Sequence, residues 1–225
     1  RELVSVRPLL PRGMTFSAES EDVIASLRAV ADLRARRGPD AVSSLILAGT
    51  ESSFDVLALL ALARACDALD AGPLQIVPLL ESPAALAHAG ALCDELLGVA
   101  PFRAHVERCG GLWEIMLGYS DTTKVGGIVA SMWALYRAQL AVGEVASRHG
   151  IGVRFFHGRG GSVGRGAADA REAVGAQPPQ TRSGRFKVTE QGEVIGARYG
   201  LASLARRNLE LAVTSVVAGI AQPLG

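Results

Sequence analysis

Cysteine is scarce in this chain: Cys66, Cys93 and Cys109 are the three among 225 residues. An odd number, with no CxxC and no Cys/His ligand spacing, argues against a disulfide framework or a structural zinc site; reduced, mostly buried thiols are expected. Aromatic residues are also few, at 5%. Net charge is nearly absent, with 23 basic against 22 acidic side chains. The electrostatic drive of a polybasic nucleic-acid binder is therefore missing. No apolar run reaches the roughly 18 residues that span a bilayer. The longest, residues 209–221, is interrupted by Glu210, Thr214 and Ser215. No signal-peptide pattern is present, and the chain opens on Arg1 rather than Met. The expectation is a cytoplasmic protein, and a piece of something longer.

What the chain does have is apolar material, at 49%, together with 26 glycines. That much hydrophobic surface excludes disorder, and the glycines imply many tight turns. Short apolar runs alternate with longer helical patterns. Strands are predicted at 44–48 (SLILA), 74–80 (LQIVPLL), 114–119 (EIMLGY), 152–156 (GVRFF) and 186–189 (FKVT). Helices are predicted over 53–71, 83–97, 128–149 and 201–220. This alternation, with near-continuous apolar strands, predicts an α/β fold with a parallel sheet buried on both faces. A doubly wound sheet and a (β/α) barrel both satisfy it. Residues 176–184 (AQPPQTRSG) read as a loop.

In either architecture chemistry collects just after the C-terminal ends of the strands. Four polar clusters stand there. Glu81 directly follows LQIVPLL; it reads as an acid at a helix N-terminus, with Ser82 as cap and Pro83 in the first turn, or as a ligand. Ser120-Asp121-Thr122-Thr123-Lys124 follows EIMLGY. Asp121 can be a cap and Lys124 a solvated ammonium, or the pair can supply a hard oxygen ligand and a point charge for an anion.

The strongest cluster is FFHGRGGSVGRG, residues 155–166, with five glycines between 158 and 166. Glycine lets a backbone turn its N–H groups toward an anion, and Arg159 and Arg165 add fixed charge in fork geometry. His157 stands where it can transfer a proton or bind an anion. The segment is not a P-loop or a dinucleotide fingerprint. The fourth cluster, VTEQGE at 188–193, reads as a tight turn with two acids. His88, His105 and His149 read as surface or packing residues.

In order along the chain, MLGYSDTTK (116–124), FFHGRGGSVGRG (155–166), AQPP (176–179) and VTEQGE (188–193) resemble the central block of the phosphoenolpyruvate carboxylase family. Arg7-Pro8-Leu9, Phe54-Asp55-Val56-Leu57 and IVPLLES (76–82) support the resemblance, which runs through residues 1–225 as a single segment. It implies part of a TIM-type (β/α) barrel with long flanking helices, from a lyase that carboxylates phosphoenolpyruvate with bicarbonate to give oxaloacetate and phosphate. Glu81 and Asp121 match the family's ligands for Mg²⁺ or Mn²⁺, and Lys124 its active-site lysine. His157, Arg159, Gly160, Gly161 and Arg165 match the loop that handles bicarbonate, carboxyphosphate and CO₂. Arg165 is also linked in the family to inhibition by aspartate or malate. The resemblance further implies a homotetramer, an anaplerotic role feeding the tricarboxylic acid cycle, and another catalytic histidine and further arginines outside this segment. The chain departs from the family at Thr122, Thr123, Val125, Asp169 and Lys187. A catalytically silent homologue that binds phosphorylated metabolites or organic acids is the alternative.

Overall fold

The computed structural model describes residues 3, 9–10, 15–158, 174–182, 184–189 and 192–221, with the side chains of 120–126 and 193 left aside. Five strands form one sheet: β1 (Ser44–Leu47), β2 (Gln75–Leu80), β3 (Leu112–Gly118), β4 (Gly152–Gly158) and β5 (Lys187–Val188). Their spatial order is their sequence order, and every neighbouring pair is parallel. A doubly wound sheet reverses its order at a switch point, and this one does not. The open arc is compatible with part of a (β/α) barrel.

The helices are α1 (Ala18–Arg37), α2 (Ser53–Ala65), α3 (Pro83–Gly98), α4 (Ala100–Arg108), α5 (Ser120–His149), α6 (Gly192–Tyr199) and α7 (Ala202–Ala221). One face of the sheet packs on them. Ile76, Leu80, Trp113, Ile115, Leu117 and Phe155 join a core with Leu86, Leu96 and Phe102. The Phe102 and Trp113 rings meet edge to face at 5.1 Å, an arrangement that adds to their area burial. Glu114, Met116, Arg154 and Phe156 alternate onto the opposite, inner face.

The β2–β3 ladder pairs only Leu79 with Met116 and Leu80 with Leu117. Pro78, lacking an N–H, sits at the start of that contact. Below it, side chains bridge the two strands. Gln75 Nε2 donates to the Leu112 carbonyl at 2.8 Å, its Oε1 accepts from the Glu114 N–H at 3.3 Å, and Trp113 Nε1 donates to the Ile76 carbonyl at 3.1 Å.

Several boundaries differ from the sequence reading. The helix expected over 53–71 stops at Ala65. Asp67 takes a left-handed φ of 59°. The Ala68 N–H then returns to the Ala63 carbonyl and the Asp67 N–H to Arg64, the closing pattern in which glycine usually serves. The helix expected from 128 is preceded by a further turn, with Gly127 at φ 74° marking the break. Helices α1, α4 and α6 were not read from the pattern at all, α6 beginning at Gly192 where a tight turn was expected. Helix α1 is tied down by Arg34, fully buried, whose guanidinium donates to the carbonyls of Pro39 (2.7 Å), Val42, Gly72 (3.0 Å) and Pro73 (2.9 Å). Burial lowers the pKa of Arg34. The thiols behave as expected: all three are free, Cys66 and Cys93 buried. No described helix is long and apolar enough to cross a membrane.

Candidate functional site

Glu81 is the first residue after β2, and it does more than precede a helix. Ser82 caps α3, its Oγ accepting from the Ala85 N–H at 3.0 Å, with Pro83 in the first turn. Glu81 instead reaches sideways, where its Oε1 accepts from the Gly49 N–H at 2.8 Å, beyond the end of β1. On its other side lies Gly118, the last residue of β3. A Cβ on Gly118 would overlap the Glu81 Cβ and stand 3.0 Å from its Cα. The missing side chain is what lets Glu81 lie over the end of β3, against the segment that continues through Tyr119 to Asp121. Asp121 is in the first turn of α5. Its carboxylate and the Lys124 ammonium lie outside the described side chains.

The residues present suit a hard divalent cation. Glu81 offers hard oxygen donors beyond the end of β2, and the notch at Gly118 seats it beside the backbone that runs on to Asp121, an acid of the same type. Among the described residues no group of three His, Cys, Asp or Glu side chains is placed to hold a metal ion.

His157 is 1% exposed and lies near the end of β4, opposite Leu117 and so on the helix-packed face. Gln177 Nε2 donates to its Nε2 at 3.1 Å. The proton then sits on Nδ1, which donates to the Tyr119 hydroxyl oxygen at 2.8 Å. Phe186 packs on the ring at 5.3 Å between centroids. The His157 carbonyl accepts the Thr189 N–H at 3.0 Å, which ties the start of VTEQGE to the end of β4.

The structure thus brings together Glu81, the turn carrying Asp121 and Lys124, His157, and Thr189 along one edge of four adjacent strands. Arg159, Gly160, Gly161, Arg165 and Glu190 lie outside the described residues, and the Glu193 side chain lies outside them too. Three contributors escaped the sequence reading. Tyr119 and Gln177 stand inside the quoted motifs, but motif matching says nothing of their contact with His157. Glu114 is the third. It is fully buried on the inner face, bound by Arg154 Nε at 2.7 Å and by Lys187 Nζ at 2.6 Å. One charged residue in each of three apolar strands was the available signal.

A parallel α/β arc with polar motifs just beyond its strand ends defines the class, an open sheet compatible with part of a (β/α) barrel. The sequence profile of phosphoenolpyruvate carboxylase matches residues 1–223, and the chain belongs to that family. It is 41% identical over 230 residues to the phosphoenolpyruvate carboxylase of Roseiflexus castenholzii, covering 99% of this chain and 24% of that protein. The Gloeobacter violaceus enzyme of the same name is 38% identical over 96% of the chain, and a Rhodopseudomonas palustris one 40% over 99%. The chain spans about a quarter of the length of these relatives, 24% in each case.

Proposed function

We propose that this segment carries the metal- and bicarbonate-handling part of a phosphoenolpyruvate carboxylase, forming oxaloacetate and phosphate. The observation that supports it most strongly is the seating of Glu81 over Gly118, beside the turn that carries Asp121. Glu81 and Asp121 would hold Mg²⁺ or Mn²⁺. When bound, the cation supplies Lewis-acid neutralisation of phosphate and enolate oxygens. In the first step a bicarbonate oxygen attacks phosphorus and the enolate oxygen leaves, giving carboxyphosphate. That intermediate breaks into CO₂ and phosphate, and the enolate carbon attacks CO₂. Arg159, Arg165 and the N–H groups around Gly160 and Gly161 stabilise the anions through this sequence. Lys124 is the group that would transfer protons at this edge. His157 works from beneath the edge, where Tyr119 and Gln177 hold its ring at the end of β4.

The same reading places the protein in the cytoplasm, in an anaplerotic role as part of a homotetramer in which Arg165 also meets aspartate or malate. The experiment is bicarbonate-dependent oxaloacetate formation from phosphoenolpyruvate, coupled to malate dehydrogenase, by a chain of the relatives' full length carrying this segment. Turnover that falls at least 100-fold in Lys124→Ala, and in Arg159→Ala with Mn²⁺ affinity retained, supports the reading. A wild-type chain that binds phosphoenolpyruvate without turnover would instead identify a silent homologue.

A further inference from the structure

Glu114, Arg154 and Lys187 take no part in the strand-end edge itself. They lie on the inner face of the sheet, and Glu114 precedes Gly118 by four residues. Arg154 is the direct register partner of Glu114 on β4. Lys187 belongs to β5 and is paired with Phe156, one strand further away. Its side chain crosses the Phe156 ring, with Nζ 4.3 Å from the centroid, to reach Glu114 Oε1 at 2.6 Å. One fully buried carboxylate therefore clamps two strands at once.

Strand β5 needs such a clamp. It is two residues long and pairs with β4 only at Lys187 and Val188. A two-residue ladder is a weak hold on its own, because it buries few backbone bonds. Yet β5 leads directly into the VTEQGE cluster, and the Thr189 N–H bonds the His157 carbonyl just below the glycine loop. The lateral position of that cluster is therefore set from inside the sheet. A cation–π contact and a charge-assisted bond to a desolvated carboxylate are stronger there than they would be in water.

We propose that Glu114 is a positioning residue: through Lys187 it locks β5 against β4, and so fixes the polar cluster at 189–193 relative to the loop that follows His157. Its catalytic consequence rests on the carboxylase reading, whereas its structural consequence does not. Glu114 touches no substrate. The proposed metal carboxylates Glu81 and Asp121 follow the ends of β2 and β3, beyond the contacts of Glu114 with Arg154 and Lys187, so cation binding is expected to survive loss of the clamp.

The test uses a chain of the relatives' full length carrying this segment, with Glu114→Gln, Lys187→Met and Lys187→Arg. Hydrogen exchange is read at the amides of 187–189 and of β2 and β3, alongside Mn²⁺ affinity and turnover. The expected result is exchange at least tenfold faster at 187–189 in Glu114→Gln and Lys187→Met, with β2 and β3 unchanged. Turnover falls tenfold or more while Mn²⁺ affinity holds within twofold, and Lys187→Arg restores both exchange and turnover. Unchanged exchange at 187–189 overturns the proposal. So does a uniform rise across all strands with loss of Mn²⁺ affinity, which would mark a purely global role. If the wild type makes no oxaloacetate, the carboxylase reading fails, and the exchange result still decides the clamp.

Discussion

His157 Nδ1 and the Tyr119 hydroxyl meet at 2.8 Å, joining the end of β4 to the residue that follows β3. The two partners belong to separate motifs, 38 residues apart, so the bond couples the turn carrying Asp121 to the base of the glycine loop. Removing it in Tyr119→Phe leaves a buried N–H without that acceptor, a loss on the order of 1–3 kcal/mol. Thermal or denaturant melting of the full-length chain is expected to show a loss in that range, with turnover falling alongside. Gln177→Leu, which removes the amide partner of the other ring nitrogen, should behave similarly. Melting unchanged in both variants would mean that the His157 network holds nothing in place.

Gly118 is the tightest constraint on the proposed metal site. Gly118→Ala places a methyl against the Glu81 Cβ. Overpacking of this kind costs about 1–3 kcal/mol, and here the cheapest relief is displacement of Glu81. Mn²⁺ affinity, followed by paramagnetic resonance titration, should drop at least tenfold. Gly98→Ala, where an added Cβ meets nothing within 4 Å, should leave Mn²⁺ affinity unchanged.

His105 gives the fold a defined acid response. Burial, reinforced by the Arg108 charge, lowers its pKa from 6.5 to about 4. Below pH 6.5 the unfolded chain takes up a proton that the folded chain refuses until about pH 4. The stabilisation is therefore complete above pH 6.5 and is lost as pH falls toward 4, by up to about 3 kcal/mol. Denaturant melts between pH 7 and 4 should show this slope, and His105→Gln should flatten it.

The 225 residues by themselves should make no oxaloacetate. The described sheet has five strands and is open, whereas a closed barrel has eight. Ile46 on the inner face of β1 is 45% exposed, and Trp133 on α5 61%. A pocket open to water hydrolyses carboxyphosphate and weakens its own electrostatics. The coupled assay on the purified segment should read no turnover above its Lys124→Ala variant, and light scattering should show association through the exposed apolar faces.

Much of this arrangement was legible in the sequence because burial and chemistry both left a mark there. Apolar runs of strand length gave all five strands, and the polar residues behind them gave the edge. Helix α1 was missed although its signals are present: Ser17 as cap, Glu19 and Glu21 in the first turn, Arg34, Arg36 and Arg37 in the last, and Gly38 beyond. Its exposed, charged surface hid the apolar stripe, and its main anchor is a buried arginine rather than a leucine. The early end of α2 was hidden because Asp67 does what glycine normally does. Strand order could not be read at all, since pairing is a tertiary fact that separates a barrel arc from a doubly wound sheet. The same holds for the contacts of Gly118, Gln177 and Glu114. Each depends on a partner on a different strand or loop, at a separation that no local pattern records.

The most direct measurement is the fate of bicarbonate oxygen. A chain of the relatives' full length carrying this segment is given phosphoenolpyruvate, Mg²⁺ and ¹⁸O-labelled bicarbonate, and the products are read by mass spectrometry before the label exchanges with water. Attack of bicarbonate on phosphorus predicts one labelled oxygen in each phosphate and two in the new carboxylate of oxaloacetate. Phosphate carrying only solvent oxygen, with no oxaloacetate formed, would show that water takes the phosphoryl group and would contradict carboxylation at this edge.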